Sequence, residues 1–73
     1  MPGARQLSLT TPHMHGADVV FVQKFIGVAE CGPPDGDFGD RTKAGVIWYQ
    51  HMRGLAADGV VGPLTWAQFG VHR

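Results

Sequence analysis

Apolar residues recur at helical spacing in two stretches of the chain. On a wheel of about 100 degrees per residue, Val19, Val22 and Ile26 gather on one face, with Phe25 at its edge. Gly16-Ala17-Asp18 precedes that stripe, and a carboxylate in the first turn meets the unpaired N–H groups and the positive end of the helix dipole. The pattern predicts a first helix that ends near Gly27. A second helical pattern covers residues 40–53, with Thr42, Gly45, Val46, Tyr49, Met52 and the stem of Arg53 on one arc and Gly54 as its stop. Gly62 followed by Pro63, a residue suited to the first helical position, predicts a short third helix through Trp66 to about Phe69. Gly32-Pro33-Pro34-Asp35-Gly36 is loop, because its prolines remove donors and its glycines permit positive φ. Residues 5–11 alternate loosely before Pro12, which predicts an extended arm whose Leu7 and Leu9 pack on the rest. The fold class is all-α: a small three-helix bundle over residues 16–73, preceded by an extended N-terminal arm over residues 1–15.

One loop repeats the other. A shift of 23 residues aligns Asp35-Gly36-Asp37-Phe38-Gly39-Asp40-Arg41-Thr42-Lys43-Ala44 with Asp58-Gly59-Val60-Val61-Gly62-Pro63-Leu64-Thr65-Trp66-Ala67, matching Asp, Gly, Gly, Thr and Ala. Upstream, Gln23, Gly27, Val28 and Ala29 align with Gln50, Gly54, Leu55 and Ala56 at a shift of 27. Each Asp is placed to accept backbone N–H groups two or three residues on, and the glycine after it tolerates the resulting turn. Phe38 and Val61 can plug the core beneath the turns, Gly39 and Gly62 are expected to permit an abrupt entry into the next helix, and Thr42 and Thr65 can bond locally to backbone. These positions read as scaffold.

Three segments then carry a resemblance: Pro12-x-Met14-x-Gly16-x-Asp18-Val19-x-x-Val22-Gln23, Asp35-Gly36-x-Phe38-Gly39-x-x-Thr42-x-x-Gly45-Val46-x-x-Tyr49-Gln50, and Gly54-Leu55-x-x-Asp58-Gly59-Val60-Val61-Gly62-Pro63-x-Thr65-Trp66. From Pro12 to about Phe69 the chain resembles the peptidoglycan-binding-like domain family, the three-helix wall-anchoring module of cell-wall hydrolases and phage endolysins. The resemblance implies a non-catalytic module that holds a murein hydrolase on peptidoglycan, through the glycan, the stem peptide or both, with the catalytic domain in a longer parent chain. It implies action at the bacterial cell wall. No signal peptide is visible in residues 1–9, so the expectation is a phage-encoded protein or a fragment of a secreted one. Two departures stand out. Gly45 replaces the family's usual alanine, which costs about 1 kcal/mol of helix stability unless another backbone packs closely there. Val20, Phe21, Ile47 and Trp48 stand where polar residues are usual; adjacent apolar pairs on two helices suggest an exposed patch, hence the alternative of a protein–protein docking module.

Composition narrows the classes. A chain of 73 residues is one small domain, able to bury only about 60 per cent of its unfolded surface. Six Lys and Arg balance six Asp and Glu, which argues against a nucleic-acid or membrane-surface partner. Cys31 is the only cysteine, so no internal disulfide forms, and it is expected to be a poor nucleophile because Glu30 raises its pKa. His13-x-His15, with His51, His72 and Cys31, could in principle supply zinc ligands, but their spacing does not indicate convergence; no metal and no cofactor are expected. The carboxylates read as turn and helix-start residues rather than a glycosidase pair, so no catalytic residues are assigned.

Binding remains. Flat aromatic faces and polar partners for amides and carboxylates give the candidate ligand set Asp37, Arg41, Trp48, Gln50, Arg53 and Trp66. Within it Trp66, like Tyr49 outside it, suits the core, and Trp48 suits the surface. Gln50, just after Tyr49, is either a bridge to loop backbone or a ligand contact.

Overall fold

In the computed structural model, which describes residues 5–70, four helices follow in order: α1 (Ala17–Ile26), α2 (Val28–Cys31), α3 (Asp40–Met52) and α4 (Pro63–Gln68). The three expected helices are present with their ends within a residue or two of the glycine and proline signals. The additional element, α2, is a single turn. Gly27, at φ 117°, ends α1, and its carbonyl then accepts from the Glu30 and Cys31 N–H groups at 3.3 and 2.9 Å. Four residues are too few to display a period, so this turn leaves no hydrophobic pattern in the sequence.

The core is small. Leu7, Val19, Val22, Phe38, Val46, Val61, Trp66 and Phe69 are buried together, with Leu9, Met14, Phe21, Ile26 and Tyr49 packed around them. The buried stripe of α3 runs through Thr42, Gly45, Val46 and Gln50. It thus turns toward the second loop and away from Met52, which the wheel had placed on the inner arc and which is 62% exposed.

The apolar outliers also resolve differently from expectation. Val20, Phe21 and Ile47 are half-buried, and only Trp48 of the four is exposed. A Cβ built on Gly36 would lie 3.1 Å from Val20 Cγ2, and one on Gly59 3.3 Å from Ile47 Cγ1, so each aliphatic side chain covers the glycine of one Asp-Gly turn. Phe21 lies 6.1 Å from Trp66 and 6.3 Å from Phe69, ring centre to ring centre. These three residues support the fold.

The segment before α1 pins both loops. Leu7, fully buried, exchanges two backbone hydrogen bonds with Val61 at 3.1 and 2.8 Å. Seven residues on, the Met14 carbonyl accepts from Phe38 N–H at 2.9 Å, and Gly16 N–H donates to the Gly36 carbonyl at 3.1 Å. Phe38 and Val61 occupy equivalent places in the repeat, and each donates its N–H to a carbonyl of this one segment, although the bridges are centred one repeat position apart, on Asp37 in the first loop and on Val61 in the second. Arg5 adds two ties: its carbonyl accepts from Trp66 Nε1–H at 2.9 Å, and its guanidinium clasps the Asp18 carboxylate.

Candidate functional site

The glutamine bonds of the two loops correspond one for one. Gln23, 1% exposed, points its amide nitrogen at Asp35 Oδ1 (3.1 Å), the Asp37 carbonyl (3.0 Å) and Thr42 Oγ1 (2.9 Å), while its amide oxygen accepts from Gly36 N–H at 2.9 Å. Gln50, also 1% exposed, does the same in the second loop with Asp58 Oδ1 (3.2 Å), the Val60 carbonyl (2.8 Å), Thr65 Oγ1 (3.1 Å) and Gly59 N–H (3.0 Å). Two N–H groups shared among three acceptors and one carbonyl with one donor use the amide fully. Asp35 and Asp58 each also accept the N–H two residues on, from Asp37 at 2.9 Å and Val60 at 3.0 Å. These bonds to the Asp37 N–H and Gln23 favour the Asp35 carboxylate and lower its pKa.

The positive-φ glycines of the loops are Gly36 (81°) and Gly59 (75°). Gly39 and Gly62, expected to need unusual backbone, are instead ordinary extended N-caps at φ −96° and −102°. The turn is complete one residue earlier, because the Asp side chain and the glutamine amide already hold the chain at the Asp-Gly pair.

Each loop opens on a shallow cleft. The first, of about 220 Å³, is walled by Pro33, Asp37, Asp40 and Arg41 with Gln23 and Thr42 at its base; the second, of about 250 Å³, has Val60, Pro63 and Leu64 with Gln50 and Thr65 in the matching places. One scaffold thus presents a charged wall once and an apolar wall once.

The six sequence candidates do not converge. Asp37 and Arg41 share the first cleft. Gln50 is a bridge to loop backbone with its amide wholly engaged beneath the second. Trp48, 44% exposed, stands two helical turns along α3 from Arg41, about 10 Å away along the axis. Arg53 lies at the C-cap of α3, its Nε–H directed at Gln68 Oε1 at 3.3 Å. Trp66 is 1% exposed, and its only polar group is spent on the Arg5 carbonyl, so it serves the core. Pro33 and Asp40 were not singled out by sequence reasoning, although the aligned repeat already marks Asp40 against Pro63 as a point of difference.

Comparison with known proteins places this architecture. Residues 15–69, which contain both loops and all four helices, match the model of the putative peptidoglycan binding domain. The chain belongs to the peptidoglycan-binding domain family. Solved structures with the same fold include a Clostridioides difficile peptidoglycan-binding protein in complex with glutamine hydroxamate (TM-score 0.78, 28% identity, 92% of this chain and 41% of that one). Another is the Burkholderia AP3 phage endolysin (TM-score 0.77, 33% identity, 94% of this chain and 26% of that one). Among curated relatives, an uncharacterised protein of Kitasatospora aureofaciens is 52% identical over 42 residues, 56% of this chain and 36% of that protein. The zinc D-Ala-D-Ala carboxypeptidase of Streptomyces albus G is 58% identical over 31 residues, 42% of this chain and 12% of the enzyme. The match therefore spans less than half the length of each of these relatives.

Two histidines of this peptidoglycan-binding domain make further polar contacts ahead of α1. His13 Nδ1 lies 2.9 Å from Asp37 Oδ2, and His15 Nδ1 lies 2.8 Å from the His13 carbonyl; His72 falls outside the described residues. Among the described residues no three His, Cys, Asp or Glu side chains group as metal ligands, and no helix is long and apolar enough to cross a membrane. Cys31 is 2% exposed, and its thiol is pushed up to about 11 by burial first and only then by Glu30. The poor nucleophilicity expected from its acidic neighbour thus has a larger cause, the removal of water.

Proposed function

We propose that this domain is a non-catalytic wall-binding module that holds a murein hydrolase, carried in a longer chain, on bacterial peptidoglycan. The family match across both loops and all four helices carries the reading. The side chains of the two loops support it: both glutamines, both turn aspartates and both threonines are committed to backbone and to each other, which suits a rigid scaffold presenting two surface clefts. The proposed place of action is the cell wall, reached from a phage-encoded or a secreted parent chain.

Sedimentation of the purified domain with isolated sacculi at moderate salt tests the reading. Binding is expected at micromolar or poorer affinity, because one small neutral domain supplies few anchors and gains avidity only from the repeated polymer or a tethered partner. Failure to sediment would overturn it. Clearing of a cell-wall suspension by the domain alone would instead establish an enzyme. A docking role has one observation in its favour: Phe25, Val28 and Met52, 46, 63 and 62% exposed, lie near the C-terminal ends of α1 and α3, with Phe25 6.0 Å from Tyr49 ring to ring. Co-sedimentation with a catalytic domain in the absence of wall would favour that second reading.

A further inference from the structure

The two clefts form an internal comparison. Their floors are superimposable in chemistry, Gln-Asp-Gly-Thr in both, so neither the turn nor the glutamine distinguishes them. Within the aligned repeat, the walls differ at three positions: Asp37, Asp40 and Arg41 in the first, Val60, Pro63 and Leu64 in the second. Fold maintenance does not require the charged set, since the apolar set maintains the same loop. Arg41 is the informative member. It is exposed, and among the described residues its guanidinium makes no ion pair and no hydrogen bond. Yet its course is defined: a Cβ built on Gly32 would lie 3.2 Å from both Cζ and Nε of Arg41, so the side chain lies across a buried glycine that leaves room for it. On the same wall, the Asp37 carboxylate is held by His13 and Asp40 stands beside Arg41 at the start of α3.

We infer that the first cleft binds a short dipolar peptide, with Arg41 taking a carboxylate and Asp40 an ammonium group, and that the wall's stem peptide rather than its glycan is what this domain grips. This rests on the wall-binding reading and adds to it the cleft and the ligand class. The guanidinium fork matches a carboxylate with two parallel N–H donors. A neutral sugar offers the guanidinium only single, uncharged acceptors, so it gains less there than a carboxylate does. The second cleft, lacking both charges, does not take this ligand.

The test uses the 73-residue protein and Nα-acetyl-Lys-D-Ala-D-Ala as probe, followed by backbone amide NMR, beside sacculus sedimentation. Shifts are expected over residues 37–42 and not over residues 60–65. Capping the peptide's C-terminus as a carboxamide, or acetylating its Lys Nε, each weakens binding on the order of tenfold. Arg41→Leu produces the carboxamide's loss at unchanged melting temperature, Arg41→Lys an intermediate one, and Leu64→Ala none. Sedimentation that persists while the peptide fails to bind, or shifts that map to residues 60–65, or chitotetraose shifting residues 37–42 where the peptide does not, would overturn the inference and leave wall binding standing. Loss of sedimentation itself would overturn both. An Arg41→Leu variant that binds the peptide like the parent also sinks the inference.

Discussion

Gly45→Ala sets two physical effects against each other at one buried position of α3. Helix propensity alone favours alanine over glycine by about 1 kcal/mol. The site says otherwise: a Cβ there would run into Cys31 Sγ and would lie 3.0 Å from both the Cys31 nitrogen and the Glu30 carbonyl carbon. Neither neighbour gives easily. The sulfur sits on a short buried side chain near the Thr42 carbonyl, and the backbone is fixed by the Cys31 and Gly32 N–H groups, each donating at 2.9 Å to Gly27 and Val28. Overpacking of this kind costs about 1–3 kcal/mol in a well-filled interior. Because the added Cβ meets the sulfur and two backbone atoms at once, the upper part of that range applies, about 2–3 kcal/mol. After the propensity gain the variant should be less stable by about 1–2 kcal/mol, which for a domain of this size lowers the melting temperature by about 4–8 °C per kcal/mol. Thermal melting by circular dichroism, with urea denaturation as a second measure, reads the change. Adding Cys31→Ala should recover part of the loss, with a coupling of at least about 0.5 kcal/mol, but not all of it, because the α2 backbone remains in place. A Gly45→Ala protein that melts at or above the parent would refute the close approach of α2 to α3.

Three further outcomes follow from the same contacts. Gln50→Leu strands the buried Gly59 N–H and three acceptors together, so urea denaturation should show a loss on the order of 2–4 kcal/mol; a change below about 1 kcal/mol would mean the bridge is dispensable. Leu7→Ala should cost about 2–5 kcal/mol although Leu7 stands ten residues ahead of the first helix, because it is wholly buried; near-parental melting would show that the segment is an appendage. The Asp18 carboxyl lies below its ordinary value of 3.8, chiefly through the hydrogen bond from Arg5. The stability this adds is present above the unfolded pKa and fades as pH falls through 3.8 toward the lower folded value. Melting temperatures between pH 6 and 2.5 should therefore fall less for Asp18→Asn than for the parent, and parallel curves would contradict the pairing.

What the sequence determined by itself was local. Glycine and proline marked the helix ends within a residue or two, because their conformational limits act on the residue they occupy. The aligned Asp-Gly pairs gave both turns, since an Asp side chain closes onto a donor two residues away. Trp66 suited the core, because a large aromatic side chain in so short a chain is more often buried than not, but the sequence kept it among the ligand candidates as well. The tertiary structure decided everything that depends on a partner far along the chain. Gln50 could have faced a ligand until the second loop folded over it. Val20 and Ile47 looked like an outward patch until the two turn glycines came to rest beneath them, and Arg5 became the partner of Asp18 only once the leading segment was laid against both loops. Gly45 looked like a weakness of α3 because no sequence pattern shows that the one-turn α2 lies against it. The same holds for binding: the repeat showed which wall positions differ, but only folding placed Asp37, Asp40 and Arg41 around one cleft and left Trp48, Gln50 and Arg53 elsewhere, because a shared surface is a property of packing, and spacing along the chain carries it only within a few turns of one helix.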